Sequence, residues 1–373
     1  MKISGYPKHI KELDGLRGVA CIFVLLHHYV ISTLTITLSG INKLIFDFIS
    51  IILLSGVDLF FVLSGFLVGG IIIDNYRSPN FLKVFYLRRI LRIFPVYYAL
   101  IISFYFGFIM LKGFHFFDDW LFKHPYPIWA YLVFVQSYFF GFFGNSGPLW
   151  VGVSWSVSVE EQFYLLTPFL MCFFGKRKAL NFILLGIVIA PFIRFYLNYK
   201  AGFYATYMFF PARMDSLFWG VLLAYLLRDE LWRAKLKELS FFIYAIIFLI
   251  LISFLLGIGA SPVYKLTSLS ILYTSLIWVI LEGTSKKIKA FIALKIFVYT
   301  GSISYAVYMF HQMVNGLLFG SILQIEPTIS DVKSLFVTGL SLLVTFVLSH
   351  FSLKYFENPI RKIGLNHNYV RKK

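Results

Sequence analysis

Arg17 and His28 stand eleven positions apart in an otherwise apolar run. On one helix that step is about three turns, or roughly 16 Å of axis, so both side chains point the same way. An ionisable group inside an apolar run is costly and is read first as functional. Asp14, three residues before Arg17, is spaced to pair with it. His27 points elsewhere and reads as a packed polar group. An imidazole titrates at about 6.5 when unperturbed, which suits a general base, so His28 is a candidate catalytic residue. The second is Glu160, in the run Trp155-Ser156-Val157-Ser158-Val159-Glu160-Glu161, expected near the opposite membrane boundary. Aromatics beside carboxylates suit a carbohydrate surface, and equally an interfacial belt and helix-start charges; Trp155 is named on that basis. A third cluster, Arg88, Arg89 and Arg92, lies in a loop expected at 74–92. Planar guanidinium forks bind phosphate bidentately, although membrane topology alone also asks for basic residues there. Asp58, Arg213, Asp215, Tyr305 and His311 are further polar groups in or beside apolar runs, read as supporting or substrate-binding, with pairing the plainer role for the charged ones.

These residues need a frame, and composition says which kind. The chain has 373 residues, 59% hydrophobic and 14% charged, against about 25% charged in a soluble domain. Its mean hydropathy is +0.80. Lipid is the natural solvent for such a chain, and about 20 apolar residues make one crossing. Ten spans are expected, near 16–36, 45–73, 94–112, 157–174, 179–197, 209–227, 239–257, 263–282, 291–318 and 334–356. The aromatic piece 128–143 is too short and reads as re-entrant or interfacial. With that piece not crossing, 23 lysines and arginines fall on one side and four (Lys43, Lys123, Lys200, Lys333) on the other, which places both termini in the cytoplasm. The expected fold is therefore a single all-α integral membrane domain over 1–373, with its first span retained.

The net charge of +17 sits in short loops between apolar runs, which excludes a nucleic-acid partner and allows an anionic cofactor or lipid. Cys21 and Cys172 lie in apolar runs and read as small buried hydrophobes; no disulfide framework and no metal is expected.

Seven blocks carry a resemblance: ELDGLRGVACIFVLLHHY, GVDLFFVLSGFL, RRILRIFP, WSVSVEEQFYLL, RMDSLFWG, SISYAVYMFH and YFENPIRK, spread in order from residue 12 to 362. The chain resembles the acyltransferase-3 family of membrane-embedded O-acyltransferases. The resemblance implies transfer of an acyl group, usually acetyl, from cytoplasmic acyl-CoA to an extracytoplasmic carbohydrate such as a surface polysaccharide, O-antigen, exopolysaccharide or peptidoglycan. The family's basic-residue-to-histidine motif falls on Arg17 and His28, its Arg-x-x-Arg motif on Arg89 and Arg92, and its glutamate on Glu160. Some relatives carry a further soluble hydrolase-like domain; this sequence, ending at Lys373, is expected to be the standalone form, leaving room for a separate extracytoplasmic transferase as partner.

The resulting expectation is direct transfer, with His28 as base, Glu160 orienting the acceptor, and acyl-CoA held by Arg17, Arg88, Arg89 and Arg92. A covalent acyl-imidazole on His28 is the variant. The scheme requires an internal passage from the arginines to His28. A transporter would use the same intramembrane charges as a permeation path, and a scaffold would need none of them.

Overall fold

The computed structural model describes residues 10–35, 38–111, 113, 117, 120–123, 126–258, 261–283 and 285–370. The architecture is all-helical: no strand occurs among the described residues, and Leu34 meets Ile329 in an isolated bridge. Among the described residues, seven helices are long and apolar enough to cross a membrane, or eight if the bent pair Glu230–Glu238 and Ser240–Leu255 forms one span. The expected figure of about ten is approached when Ser154–Lys200 is divided at Gly175, whose backbone is non-helical (φ 71°, ψ 170°), and the 17-residue helix Phe210–Leu226 is added.

Large apolar side chains remain exposed on the outer helix faces, among them Ile102, Ile109, Phe173, Phe192 and Phe241. Water would penalise that surface and lipid does not. The piece 128–143 contains two short helices, Ile128–Leu132 and Gln136–Phe142, parted by Phe134 with φ 57°. It is too broken to cross as one helix, in keeping with the re-entrant or interfacial reading.

Two helix seams position the polar residues. Helix Lys11–Leu26 lies along helix Lys295–Leu323, with Gly18 against the backbone of Phe297 and Gly301 against that of Asp14. Helix Gly56–Asn75 lies along Phe210–Leu226, with Gly65 against the backbone of Leu217. A missing side chain lets two backbones approach closely, which in lipid drives helix pairing by packing alone.

The loop expected at 74–92 is shorter than that. A helix runs from Phe81 to Leu111, through Pro95, so all three arginines of the cluster are helical. Leu and Arg are good helix formers, and the basic residues that mark a span's end on hydropathy grounds do not end its backbone hydrogen bonding.

Candidate active site

A cavity of about 100 Å³ is lined by Arg17, Arg89, Arg92, Glu160, Tyr305 and Tyr308, among others. It lies where five helices meet: Lys11–Leu26, Gly56–Asn75, Phe81–Leu111, the start of Ser154–Lys200 and Lys295–Leu323. Arg89 and Arg92 are three apart, so one helix face presents both. Arg17 pairs with Asp14, Nη1 to Oδ1 at 3.3 Å, as their spacing predicts. Tyr305 donates from its hydroxyl to the Ile93 carbonyl at 2.8 Å and so ties two of these walls together.

Arg88 does not join them. One position from Arg89, it is turned about 100° around the helix. Its guanidinium donates to the carbonyls of His367 (2.5 Å) and Gly364 (3.4 Å) and lies over the ring of Tyr369. It holds the end of helix Asn358–Leu365 and the residues through Tyr369 onto the Phe81–Leu111 helix.

Glu160 is not at an opposite boundary. It shares the cavity with the arginines, and Tyr164 donates to its Oε2 at 3.2 Å. Tyr164 also bonds Ser64 at 2.6 Å. The physical reason is depth: helix Ser154–Lys200 starts buried, with Ser154 through Val159 all enclosed, so its first turn is no membrane surface. Glu160 lies about 9 Å in from that start.

His28 sits in a π-helical turn, His27–Ile31, that continues the first helix. Its Nδ1 is 2.9 Å from Nε2 of His311, whose Nδ1 is 2.7 Å from the Tyr308 carbonyl. His311 is fully buried and His28 half-buried. His28 does not line the cavity. Phe60 and Tyr308 do, packed edge to face at 6.0 Å, and the Tyr308 ring lies 5.8 Å from that of His311. The passage expected to be open from arginines to His28 is therefore interrupted by an aromatic pair, an arrangement rings favour for their complementary edges and faces.

The remaining charges are spent in two buried ion pairs. Asp58 accepts from Nη2 of Arg213 at 2.7 Å, and that guanidinium is enclosed by the rings of Phe61, Tyr207 and Trp155. Asp215 takes both forks of Arg194 at 2.7 Å each, and Arg194 donates further to Ala212 O and Thr267. Arg213 and Asp215 are thus both paired, but with other helices. Arg194 escaped the sequence reading, although a lone arginine inside the run 179–197 is itself a signal. Tyr164 had one too, at i+4 from Glu160. The Tyr29 hydroxyl, bonded to the His311 carbonyl (2.7 Å) and Thr345 (2.9 Å), had none, because its partners are about 280 or more positions away.

The arrangement offers an arginine-lined chamber at one end and a hydrogen-bonded imidazole pair beside the Tyr308 ring. The acyltransferase-3 family model, described as an acyltransferase domain, matches residues 10–351. A Staphylococcus aureus (strain COL) protein provisionally named an O-acetyltransferase is 25% identical over 98% of this chain and 60% of its own length. The peptidoglycan O-acetyltransferase OatA of Listeria monocytogenes is 26% identical over 96% of this chain and 56% of its own. The O-acetyltransferase OatA of Staphylococcus aureus (strain NCTC 8325) is 23% identical over 96% and 58%. The chain thus spans about 60% of the length of these curated relatives. No solved structure matches it.

Proposed function

This chain belongs to the acyltransferase-3 family, and on that premise we propose that it passes an acetyl group from cytoplasmic acetyl-CoA to a hydroxyl of a cell-envelope carbohydrate. The observation that carries the reading is the convergence of Arg17, Arg89 and Arg92 on one chamber, one aromatic ring away from His311 and His28. Guanidinium forks suit the phosphates at the nucleotide end of the donor, and a thin pantetheine arm suits a chamber between helices. Peptidoglycan, the acceptor named for the Listeria relative, is the first acceptor to try. The excess of basic residues on one side of the expected spans supports a plasma-membrane location with both termini cytoplasmic.

In this scheme the acceptor hydroxyl gives its proton to His28. Its oxygen attacks the thioester carbonyl carbon, the C–O bond forms and the C–S bond breaks. CoA leaves as the thiolate and takes the proton from the imidazolium, so no further reagent is consumed. The Tyr308 and Phe60 rings move aside when the donor's arm enters. Glu160 works on the donor side, beside Arg92 and Arg17 in the chamber, and accepts from an N–H of the pantetheine amides. The acyl-imidazole variant differs only in that His28 attacks the carbonyl first.

The experiment places the protein in vesicles with labelled acetyl-CoA on one face and muropeptides on the other. Label should appear on the muropeptide, with or without an added extracytoplasmic transferase as partner. His28→Ala should cut transfer by about 10²- to 10⁴-fold. Full transfer by that variant, or solute flux without consumption of acetyl-CoA, would end the proposal. Label that stays on the protein when acceptor is withheld selects the acyl-enzyme variant.

A further inference from the structure

We infer that His311 is the positioning residue of this site: it accepts a hydrogen bond from Nδ1 of His28 and so holds His28 in the tautomer whose Nε2 is bare. The inference rests on the acyl-transfer reading, in which His28 is the base.

The Tyr308 oxygen, 2.7 Å from Nδ1 of His311, only accepts, so that Nδ1 carries a hydrogen. A neutral imidazole has one N–H. Nε2 of His311 is therefore an acceptor, and the atom 2.9 Å away, Nδ1 of His28, must donate. His28 in turn has spent its only hydrogen, which leaves Nε2 with a lone pair and no proton. Were His311 charged, the bond would run the other way and His28 would carry its hydrogen on Nε2, useless as a base. The surroundings favour the neutral pair. The rings packed around the two are those of His27, Tyr29 and Tyr308, with centroids at 5.3, 6.1 and 5.8 Å. Among the described residues neither imidazole is ion-paired with a carboxylate, and Glu160 is held by Tyr164 in the chamber.

The backbone is held as firmly as the ring. Tyr29 donates to the His311 carbonyl at 2.7 Å and bonds Thr345. Successive residues of the first helix thus grip one residue of the other: His28 by the ring, Tyr29 by the main chain. In an α-helix neighbours diverge by about 100°; the π-turn at His27–Ile31 changes that angle where it is needed, and such turns gather at functional sites. Backbone carbonyl, His311 and His28 form a chain with the logic of a triad, in which a third group fixes the base's tautomer.

Two replacements of similar volume test it in vesicles with the full chain. His311→Gln keeps an amide N–H for the Tyr308 carbonyl and an oxygen for His28; His311→Met keeps neither. His311→Met should lower kcat by about 10²- to 10³-fold with the donor KM unchanged, and His311→Gln should recover at least about tenfold of that loss. In a His28→Ala background His311→Met should lower the remaining rate no further, since it acts only through His28. Equal losses in Gln and Met, or a further drop on that background, would overturn the inference and mark His311 as packing alone. Should His311→Met fail to fold, His311→Gln still decides: a rate more than about 10²-fold down counts against the role. Normal transfer by His28→Ala alone would instead sink the acyl-transfer reading.

Discussion

Arg88, Arg89 and Arg92 look alike in a sequence, and their positions around one helix give them different work. Arg89 and Arg92 reach the chamber with Arg17, while Arg88 is engaged by the carbonyls of Gly364 and His367. Loss of a charge-assisted bond costs about 1.5–3 kcal/mol, or roughly 10- to 100-fold in affinity. Arg92→Ala is therefore expected to raise the KM for acetyl-CoA by that factor, measured as initial rates against donor concentration. Arg88→Ala should leave the donor KM within about threefold, since partly exposed contacts contribute little, and instead loosen the C-terminal segment to proteolysis. Equal effects in the two variants would contradict the assignment. Residue type and i,i+3 spacing made the Arg89–Arg92 face legible. The separation of Arg88 from it was legible too, because one position is about 100° of helix, yet its partner some 280 residues later was not.

At the scale of elements, the seam between Lys11–Leu26 and Lys295–Leu323 sets whether His28 meets His311. Gly301 packs on the Asp14 backbone so closely that any Cβ there must push the helices apart. Gly301→Val is expected to lower the melting temperature in detergent and to cut transfer together, whereas Gly339→Ala, with open space around it, should change neither. Unaltered transfer in Gly301→Val would show that the histidine contact tolerates a wider seam. The start of helix Val332–Phe351 carries a different dependence. Asp331 caps it, accepting from the Ser334 backbone N–H at 2.8 Å within a reciprocal capping box. That bond, with the Ser334 hydroxyl's, holds the Asp331 carboxyl below its ordinary pKa. A depressed carboxylate adds stability above its unfolded pKa, and the gain fades as pH falls through the folded value. Protection against hydrogen exchange at the first turn of this helix, corrected for the intrinsic rate at each pH, should therefore fall on acidification in the native chain and be low at every pH in Asp331→Ala. A native chain whose protection does not fall would refute the cap's role.

Across the whole molecule, Asp58–Arg213 ties together helices 155 positions apart in the chain, and Arg194–Asp215 ties helix Ser154–Lys200 to Phe210–Leu226. Removing one member of a buried pair leaves an uncompensated charge and costs about 3–5 kcal/mol, while replacing both by apolar groups is near neutral. Arg194→Met should thus fall well below native in thermal stability, and Arg194→Met with Asp215→Leu should recover most of the loss. A double variant no more stable than the single would mean that the pair has a task beyond cohesion. With these charges closed on each other, a permeation path would have to be built from other groups.

Sequence alone determined that the chain is an all-helical membrane protein and which ionisable groups deserve suspicion, because the cost of charge and of unpaired backbone in lipid is written into local composition and period. It also determined the shared face of Arg89 with Arg92, since helical geometry is a local property. Only the tertiary structure decided that Glu160 joins the arginines, that Arg213 and Asp215 pair with Asp58 and Arg194, and that Phe60 and Tyr308 part the chamber from His28. Those outcomes depend on which helices touch and at what depth, and helices in lipid choose neighbours by close packing of small residues rather than by any pattern confined to one segment.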